Sequence, residues 1–377
     1  MFRRLAARQF RMAENAAKRL KTEGGSSDGP VTIGTHNGHF HADEALAVYM
    51  LRQHIPTYAG ASLVRTRDPA TLARCHTVVD VGGEYDASTL RFDHHQRTFS
   101  TTFPGRQTKL SSAGLVYMHF GKQIIARRLA DPDCDNEATV DMLYAKLYEN
   151  FVEALDAHDN GISAYDPAVL ATASNGQPLQ KRFSDGGFTL GAVVGRLNPN
   201  WNDPIPEDPA EAQAAEDQRF EAASARIGEE FDRDLDYYTR SWLPARSVVA
   251  DAFSHRAEHD PAGKGRILVF KGQSVPWKDH LYTLEQENPS AGEVLYVLYP
   301  EKPTPDAKWR IQCVPVSKDS FQSRLPLPEA WRGFRDEELD KITGIPGCVF
   351  VHAAGFIGGN KTFEGAMAMA QKALELA

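Results

Sequence analysis

Three short apolar runs in the first hundred residues each stop on side chains that can hold a proton or a metal. Val31 to Gly34 leads into Thr35-His36-Asn37-Gly38-His39-Phe40-His41-Ala42-Asp43-Glu44. Thr77 to Val79 ends on Asp80 and then Val81-Gly82-Gly83, and Leu90 to Phe92 ends on Asp93-His94-His95-Gln96. After the first run, Ala45, Leu46, Val48, Tyr49 and Leu51 follow a helical pattern, and Ser62 to Arg65 reads as an edge or second strand. Strands alternating with helices specify an α/β fold with a mostly parallel sheet wrapped by helices. At the carboxyl ends of such strands, ligand-binding groups collect in one crevice. If the three strands are parallel neighbours, their polar ends converge on one edge.

Taken singly, a histidine in a polar turn is a solvated residue, and an aspartate at a strand end is a cap. Their repetition at three strand ends favours a site. A fourth contribution comes from the segment after Ala138, where Val140, Leu143, Leu147, Phe151, Val152 and Leu155 recur at helical spacing. That helix ends in Asp156-Ala157-His158-Asp159-Asn160-Gly161, so a carboxylate from this turn completes the set. Imidazole mixed with carboxylate is the donor set of a borderline divalent ion such as Mn²⁺ or Zn²⁺.

A chain of 377 residues suggests about two domains. Residues 1–22 carry seven Arg and Lys against the single acid Glu14, on a helix-compatible apolar pattern. This resembles a mitochondrial transit peptide, and the Gly- and Ser-rich stretch to Pro30 reads as a flexible junction. We divide the chain into a basic targeting segment and junction (1–29), a metal-binding domain (30–205), a linker helix (206–245) and a C-terminal domain (246–377). Residues 171–188 read as a Gly-, Ser- and Asn-rich surface loop. The acidic helix over 209–240 has a stripe of Phe220, Ala223, Ile227, Phe231 and Leu235, and its charges read as a solvated face. The second domain closes on His352-Ala353-Ala354-Gly355-Phe356-Ile357-Gly358-Gly359-Asn360-Lys361, read as a Gly-rich turn before a helix, whose backbone N–H groups could hold phosphate.

Four scattered cysteines form neither a zinc knuckle nor a disulfide framework. No apolar run approaches the roughly 20 residues of a membrane span. The net charge of −8 argues against coating long nucleic acid, although nucleic acid held end-on at a metal site remains compatible with it.

With these motifs assembled, the chain resembles the Myg-type (melanocyte proliferating gene) exonuclease family of the DHH phosphoesterase superfamily, over residues 31–377. The resemblance rests on Gly34-Thr35-His36-Asn37-Gly38 with Phe40-His41 and Asp43-Glu44, on Asp93-His94-His95, and on the His352 to Gly359 ending. It departs from the superfamily's usual first motif in having His41 where an aspartate is usual. The resemblance implies one metal on His36, His41 and Asp80 and a second on Asp43, Asp80, His94 and Asp156, with Asp80 bridging. His95 would face the scissile phosphate and Asp93 support it from behind. The implied activity is 3'-to-5' exonucleolytic cleavage of single-stranded RNA by a hydroxide activated by two divalent ions, Mn²⁺ with Mg²⁺ or Zn²⁺ as alternatives. Mitochondrial and nuclear pools are implied, as is a smaller C-terminal α/β domain that positions substrate through Arg310, His352, Gly358, Gly359 and Lys361.

Three other readings stay open at this point. The same site could split pyrophosphate, a cyclic dinucleotide or a very short RNA or DNA. The fold could serve as a non-catalytic RNA-binding module, which an intact ligand set opposes, because buried unpaired carboxylates are costly. Finally, His39-Phe40-His41-Ala42-Asp43 spells most of a metallo-β-lactamase signature, but Glu44 stands where that motif needs histidine. The readings diverge at His39, which is a ligand only in the last.

Overall fold

The computed structural model describes residues 31–129, 137–173, 184 and 186–377. The basic segment and most of the loop expected over 171–188 lie outside the described residues. The chain divides into two compact units between Thr239 and Arg240.

In the first unit, β1 (Thr32–Thr35) is followed by α1 (Ala42–Tyr49), β2 (Ser62–Arg65), β3 (Thr77–Val79), β4 (Tyr85–Asp86) and β5 (Arg91–Phe92). The sheet order is β2-β1-β3-β5-β4. β1 runs parallel to β2 and β3, and β3 parallel to β5; only the edge strand β4 is antiparallel. The expected α/β architecture is therefore present, with one reversed edge. Ile33, Val78, Val79 and Phe92 are fully or almost fully buried, as strands covered on both faces require. The register sets Gly34 beside Val78 and Val79 beside Phe92, so His36, Asp80 and Asp93 leave the sheet at one level.

Helices α2 (Ser112–Leu129), α3 (Glu137–Leu147), α4 (Glu153–Asp159), α5 (Leu190–Gly195) and α6 (Pro209–Tyr237) follow in this unit, which also has shorter helical segments. Every residue of α1 from Ala42 to Val48 is buried, which marks a helix enclosed on all sides. The stripe Phe220, Ala223, Ile227, Phe231 and Leu235 is the buried face of α6. α6 approaches α1 closely because Gly228 has no side chain: a Cβ there would stand 2.1 Å from the Tyr49 ring. Ser224 Oγ donates to the Ala45 carbonyl at 2.8 Å across the same contact.

The second unit holds α7 (Leu243–His255), β6 (Ile267–Val269), α8 (Lys278–Glu287), β7 (Tyr296–Pro300), β8 (Trp309–Cys313), α9 (Asp336–Thr343), β9 (Cys348–Val351), β10 (Ile357–Asn360) and α10 (Phe363–Glu375). Its sheet order is β6-β7-β8-β10-β9, with β6 and β7 parallel and the other pairs antiparallel. Tyr296, Leu298, Ile311, Trp331, Leu339 and Met369 anchor one core of this sheet. Among the described residues, no helix is long and apolar enough to cross a membrane.

Candidate metal centre

The carboxyl ends of β1, β3 and β5 and the first turn of α1 bring their polar side chains together. Ligand-type atoms of His36, His41, Glu44 and Asp80 all lie within 4.8 Å of one another; so do those of Asp80, His94 and His95, and those of Asp43, His94 and Asp159. Asp80 and His94 each belong to two of these groups.

Asp80 is the pivot. Its Oδ2 lies 3.4 Å from His36 Nε2 and its Oδ1 3.3 Å from His94 Nε2, so the two carboxylate oxygens face different imidazoles. The residue sits at φ 58°, in the left-handed region. Aspartate tolerates that conformation better than a branched residue, and such strain gathers at functional sites. Burial alone would raise its pKa, but the facing imidazoles of His36 and His94 hold it below the usual carboxylate range.

The imidazoles answer in kind. Burial alone would lower His36, yet its hydrogen bonds to Asp80 and Glu44 raise it to about 10. Burial would also lower His94, and Asp159 and Asp80 raise it to about 10. Asp43 is pushed up by burial and by the charges of Asp80 and Asp159. Its carboxylate seats on the start of α2, accepting from Ser112 N at 3.0 Å and Ala113 N at 2.6 Å. An anion is favoured there because those N–H groups have no partner within the helix.

One expected ligand takes another place. Asp156 is fully buried but belongs to none of the three groups. It accepts from Ser111 N at 2.9 Å and Ser111 Oγ at 2.7 Å, and from Tyr148 OH at 2.7 Å. Ser111 Oγ also contacts Asp43. One hydroxyl proton cannot serve two carboxylates, so one of them must carry a proton. Burial raises both, Asp156 to about 7; the N–H groups of Ser112 and Ala113 favour the anion at Asp43, which leaves Asp156 as the holder. Of the aspartates in this turn, the one that meets His94 is Asp159, with Oδ2 at 3.1 Å from Nε2.

Gly358 and Gly359 lie in β10, an interior strand paired with β8 and β9, rather than in a turn. Their N–H groups therefore belong to the sheet ladder. Their smallness has a packing reason: a Cβ on Gly359 would stand 2.6 Å from Arg310 Nη1, and one on Gly358 3.0 Å from Leu327 Cδ1. Arg310 pairs with Glu301 and lies 4.7 Å over the Phe350 ring. His352 is exposed, with Nδ1 accepting from Ala354 N at 3.0 Å, and Lys361 is exposed.

His95 and Asp93 form a pair. Asp93 is buried and accepts from Gly83 N at 2.6 Å, from His95 N at 3.1 Å and from His95 Nδ1 at 2.7 Å. The His95 side chain is 62% exposed, and its bond to Asp93 raises its pKa.

The histidine-bearing turn is held by residues that sequence reasoning did not single out. Asn198 clamps Phe40 on both sides, its Oδ1 accepting from Phe40 N at 3.0 Å and its Nδ2 donating to Phe40 O at 2.9 Å. Gly38, at φ +84°, donates to Glu216 at 3.0 Å and accepts from Arg65 at 2.7 Å. Arg65 is buried against the rings of Phe40 and Phe220 and stands 3.3 Å from Asp217. Two acids of the α6 face expected to be solvated thus secure the turn.

The donor set fits a divalent ion. Glu44 Oε2 and both ring nitrogens of His94 are buried without a well-formed hydrogen bond, a cost that coordination would remove. A cavity of about 730 Å³ opens over the groups and is lined by His36, His41, Asp80, His94, His95 and Asp159 among others.

Comparison with known proteins gives consistent matches. A family model described as "Uncharacterised protein family (UPF0160)", with the short name MYG1_exonuc, matches residues 32–374. The protein named MYG1 exonuclease of Bos taurus is 49% identical over 354 residues, covering 92% of this chain and 85% of its own. That of Homo sapiens is 49% identical over 351 residues, covering 92% and 86%. A MYG1 protein of Saccharomyces cerevisiae is 42% identical over 361 residues, covering 96% and 99%.

Proposed function

From the premise that this chain belongs to the MYG1 exonuclease family, we propose that it is a metal-dependent phosphodiesterase of the DHH type that shortens single-stranded RNA from its 3' end. The observation that carries the reading is the divided carboxylate of Asp80, one oxygen toward His36 and the other toward His94. A carboxylate so placed is suited to join two cation sites.

In this reading His36, His41 and Asp80 hold one ion, with Glu44 against them, and Asp43, Asp80, His94 and Asp159 hold the other. Mixed nitrogen and oxygen donors suit Mn²⁺. Such ions supply the acidification of water and the charge stabilisation that hydrolysis of an anionic phosphodiester needs. The chain's own groups do the rest. Asp93 orients His95 by accepting from Nδ1 and raises its pKa; this favours the imidazolium, whose exposed Nε2–H is free to donate to a non-bridging phosphate oxygen. Asp156, Ser111 and the start of α2 hold Asp43 in position. In the second unit, Arg310, His352 and Lys361 are proposed to grip substrate, with Gly359 making room for Arg310 and Gly358 beside it in the strand. The basic composition of residues 1–22 supports a location in the mitochondrial matrix, with a nuclear pool; comparing tagged chains with and without residues 1–29 in cells tests this.

The decisive assay is hydrolysis of a 5'-labelled single-stranded RNA with Mn²⁺, beside Asp80→Ala and after chelation. A ladder that shortens from the 3' end and vanishes in both controls is expected. Splitting of pyrophosphate or a cyclic dinucleotide with RNA and DNA left intact would overturn the substrate, and loss of all hydrolysis with RNA binding retained would leave the binding-module reading.

A further inference from the structure

Arg67 and Lys109 are the lysine and arginine side chains that line the cavity over the centre. Several basic residues elsewhere in the first unit are paired with acids, among them Arg52 with Glu221, Arg106 with Glu149, Lys122 with Asp141, and Arg128 with Asp236. Among the described residues, neither Arg67 nor Lys109 has a carboxylate within ion-pair distance. Yet Asp43, Asp80, Asp93 and Asp159 line the same cavity. These two cations are left available to an incoming anion.

Lys109 is firmly placed. Its carbonyl accepts from Asn160 Nδ2 at 3.0 Å, and its backbone bridges to Thr102. Its Nζ stands 5.4 Å from the centroid of the Phe99 ring, whose own centroid is 6.3 Å from that of His94. Lys109 therefore flanks the His94 side of the centre. Arg67 comes two residues after β2, at the other end of the row. The strand order β2-β1-β3-β5 sets out, from one flank to the other, Arg67, His36, Asp80 and then His94 with Lys109. β2 and β5 are three strand spacings apart, roughly 14 Å. A phosphate contact closes within about 3 Å of its donor. Cations on opposite flanks thus suit separate anionic groups, with a third group between them.

We infer that Arg67 and Lys109 are phosphate subsites that hold one nucleic-acid strand across the carboxyl edge of the sheet, with a phosphate on each side of the one above Asp80. This rests on the phosphodiesterase reading and narrows it. The preferred substrate carries at least three consecutive phosphates along a strand. Pyrophosphate, with two, reaches the centre and one flank only.

The test is the salt dependence of binding. A fluorescent, hydrolysis-resistant single-stranded pentanucleotide is titrated with the full chain in Mn²⁺ over a range of KCl, beside Arg67→Met and Lys109→Met. Each lost phosphate contact lowers the slope of log affinity against log salt by about 0.7. Each variant should show that drop, and Arg67→Lys and Lys109→Arg should restore it. A neutral methylphosphonate on one side of the central phosphate should lower the wild-type slope equally and leave one variant's slope unchanged; on the other side it should spare the other variant. The methylphosphonate arm needs only wild-type protein, so a poorly folding variant does not blunt the test. Wild-type binding and cleavage of RNA with slopes that none of these changes move would overturn the subsites alone. A wild-type protein that neither binds nor cleaves any strand would overturn the phosphodiesterase reading, and the subsites with it.

Discussion

Asp159 Oδ2 meets His94 Nε2 at 3.1 Å, while Asp156, one helical turn earlier, is enclosed by Ser111 and Tyr148. The two carboxylates should separate cleanly by substitution. Asp159→Ala removes a charged neighbour of His94 and should weaken Mn²⁺ binding by at least about 10-fold. Asp156→Asn should bind the ion nearly as wild type, because its amide can donate to Ser111 Oγ as the protonated carboxyl does, at a cost in stability for the Ser111 N–H that an amide nitrogen cannot accept. Asp156→Ala should instead cost about 1–3 kcal/mol for each buried partner left unsatisfied. Metal titration calorimetry with urea unfolding measures both, and equal loss of metal in Asp156→Asn and Asp159→Ala would reverse the assignment.

His39 and His41 also part company. Their rings are 5.6 Å apart and both are exposed, but only His41 shares a ligand group with His36 and Asp80. His41→Ala should lose affinity for one ion, whereas His39→Ala should retain two ions per chain by elemental analysis. Loss of metal in His39→Ala would favour the metallo-β-lactamase pattern that Glu44 argues against.

What the sequence makes visible here is local. A strand that ends on His36, Asp80 or His94 announces itself, because apolar run and ligand are adjacent, and parallel pairing then aligns the ends without further information. Asp156 and Asp159 could not be told apart, since residues three apart share a helix face and the choice depends on Ser111 and Tyr148 closing around one of them. The left-handed backbone of Asp80 has no sequence signature. Asn198 and Arg65 were invisible because their partners, Phe40 and the α6 acids, are remote in the chain. Gly358 and Gly359 misled: Gly-Gly before a helix suggests a turn, but close packing, of Gly358 against Leu327 and Val351 and of Gly359 against Arg310, admits the same pair to a strand. Glu44 had a signal, as the acid three residues after the helix-capping His41, whose N–H it accepts at 2.9 Å.

The Asn198 clamp makes a prediction about how the first motif is held. Asn198→Ala leaves the N–H and C=O of Phe40 buried and unpaired, at about 1–3 kcal/mol each. The turn between His36 and His41 should loosen as well, so the ion on that side should weaken more than the one at Asp43, His94 and Asp159. Urea unfolding combined with a two-site metal titration resolves the two effects. A purely global destabilisation, with both sites weakened equally, would show that the clamp acts on the fold and not on the centre.

A separate acid response should come from His119, on α2, away from the ligand groups. Its Nε2 lies 2.9 Å from Tyr85 OH and its ring 5.4 Å from that of Phe92. Burial pushes its pKa down to about 4, against about 6.5 in an unfolded chain. The folded state thus disfavours the proton that the unfolded chain accepts. Stability from this group is complete above pH 6.5 and falls as pH drops toward 4, by at most about 2 kcal/mol between pH 7 and 5. His119→Gln keeps an acceptor for Tyr85 and removes the titration. Urea unfolding of both proteins at pH 7 and 5 should show the wild type losing more stability than the variant; parallel losses would mean that His119 stays as hydrated in the fold as in the open chain.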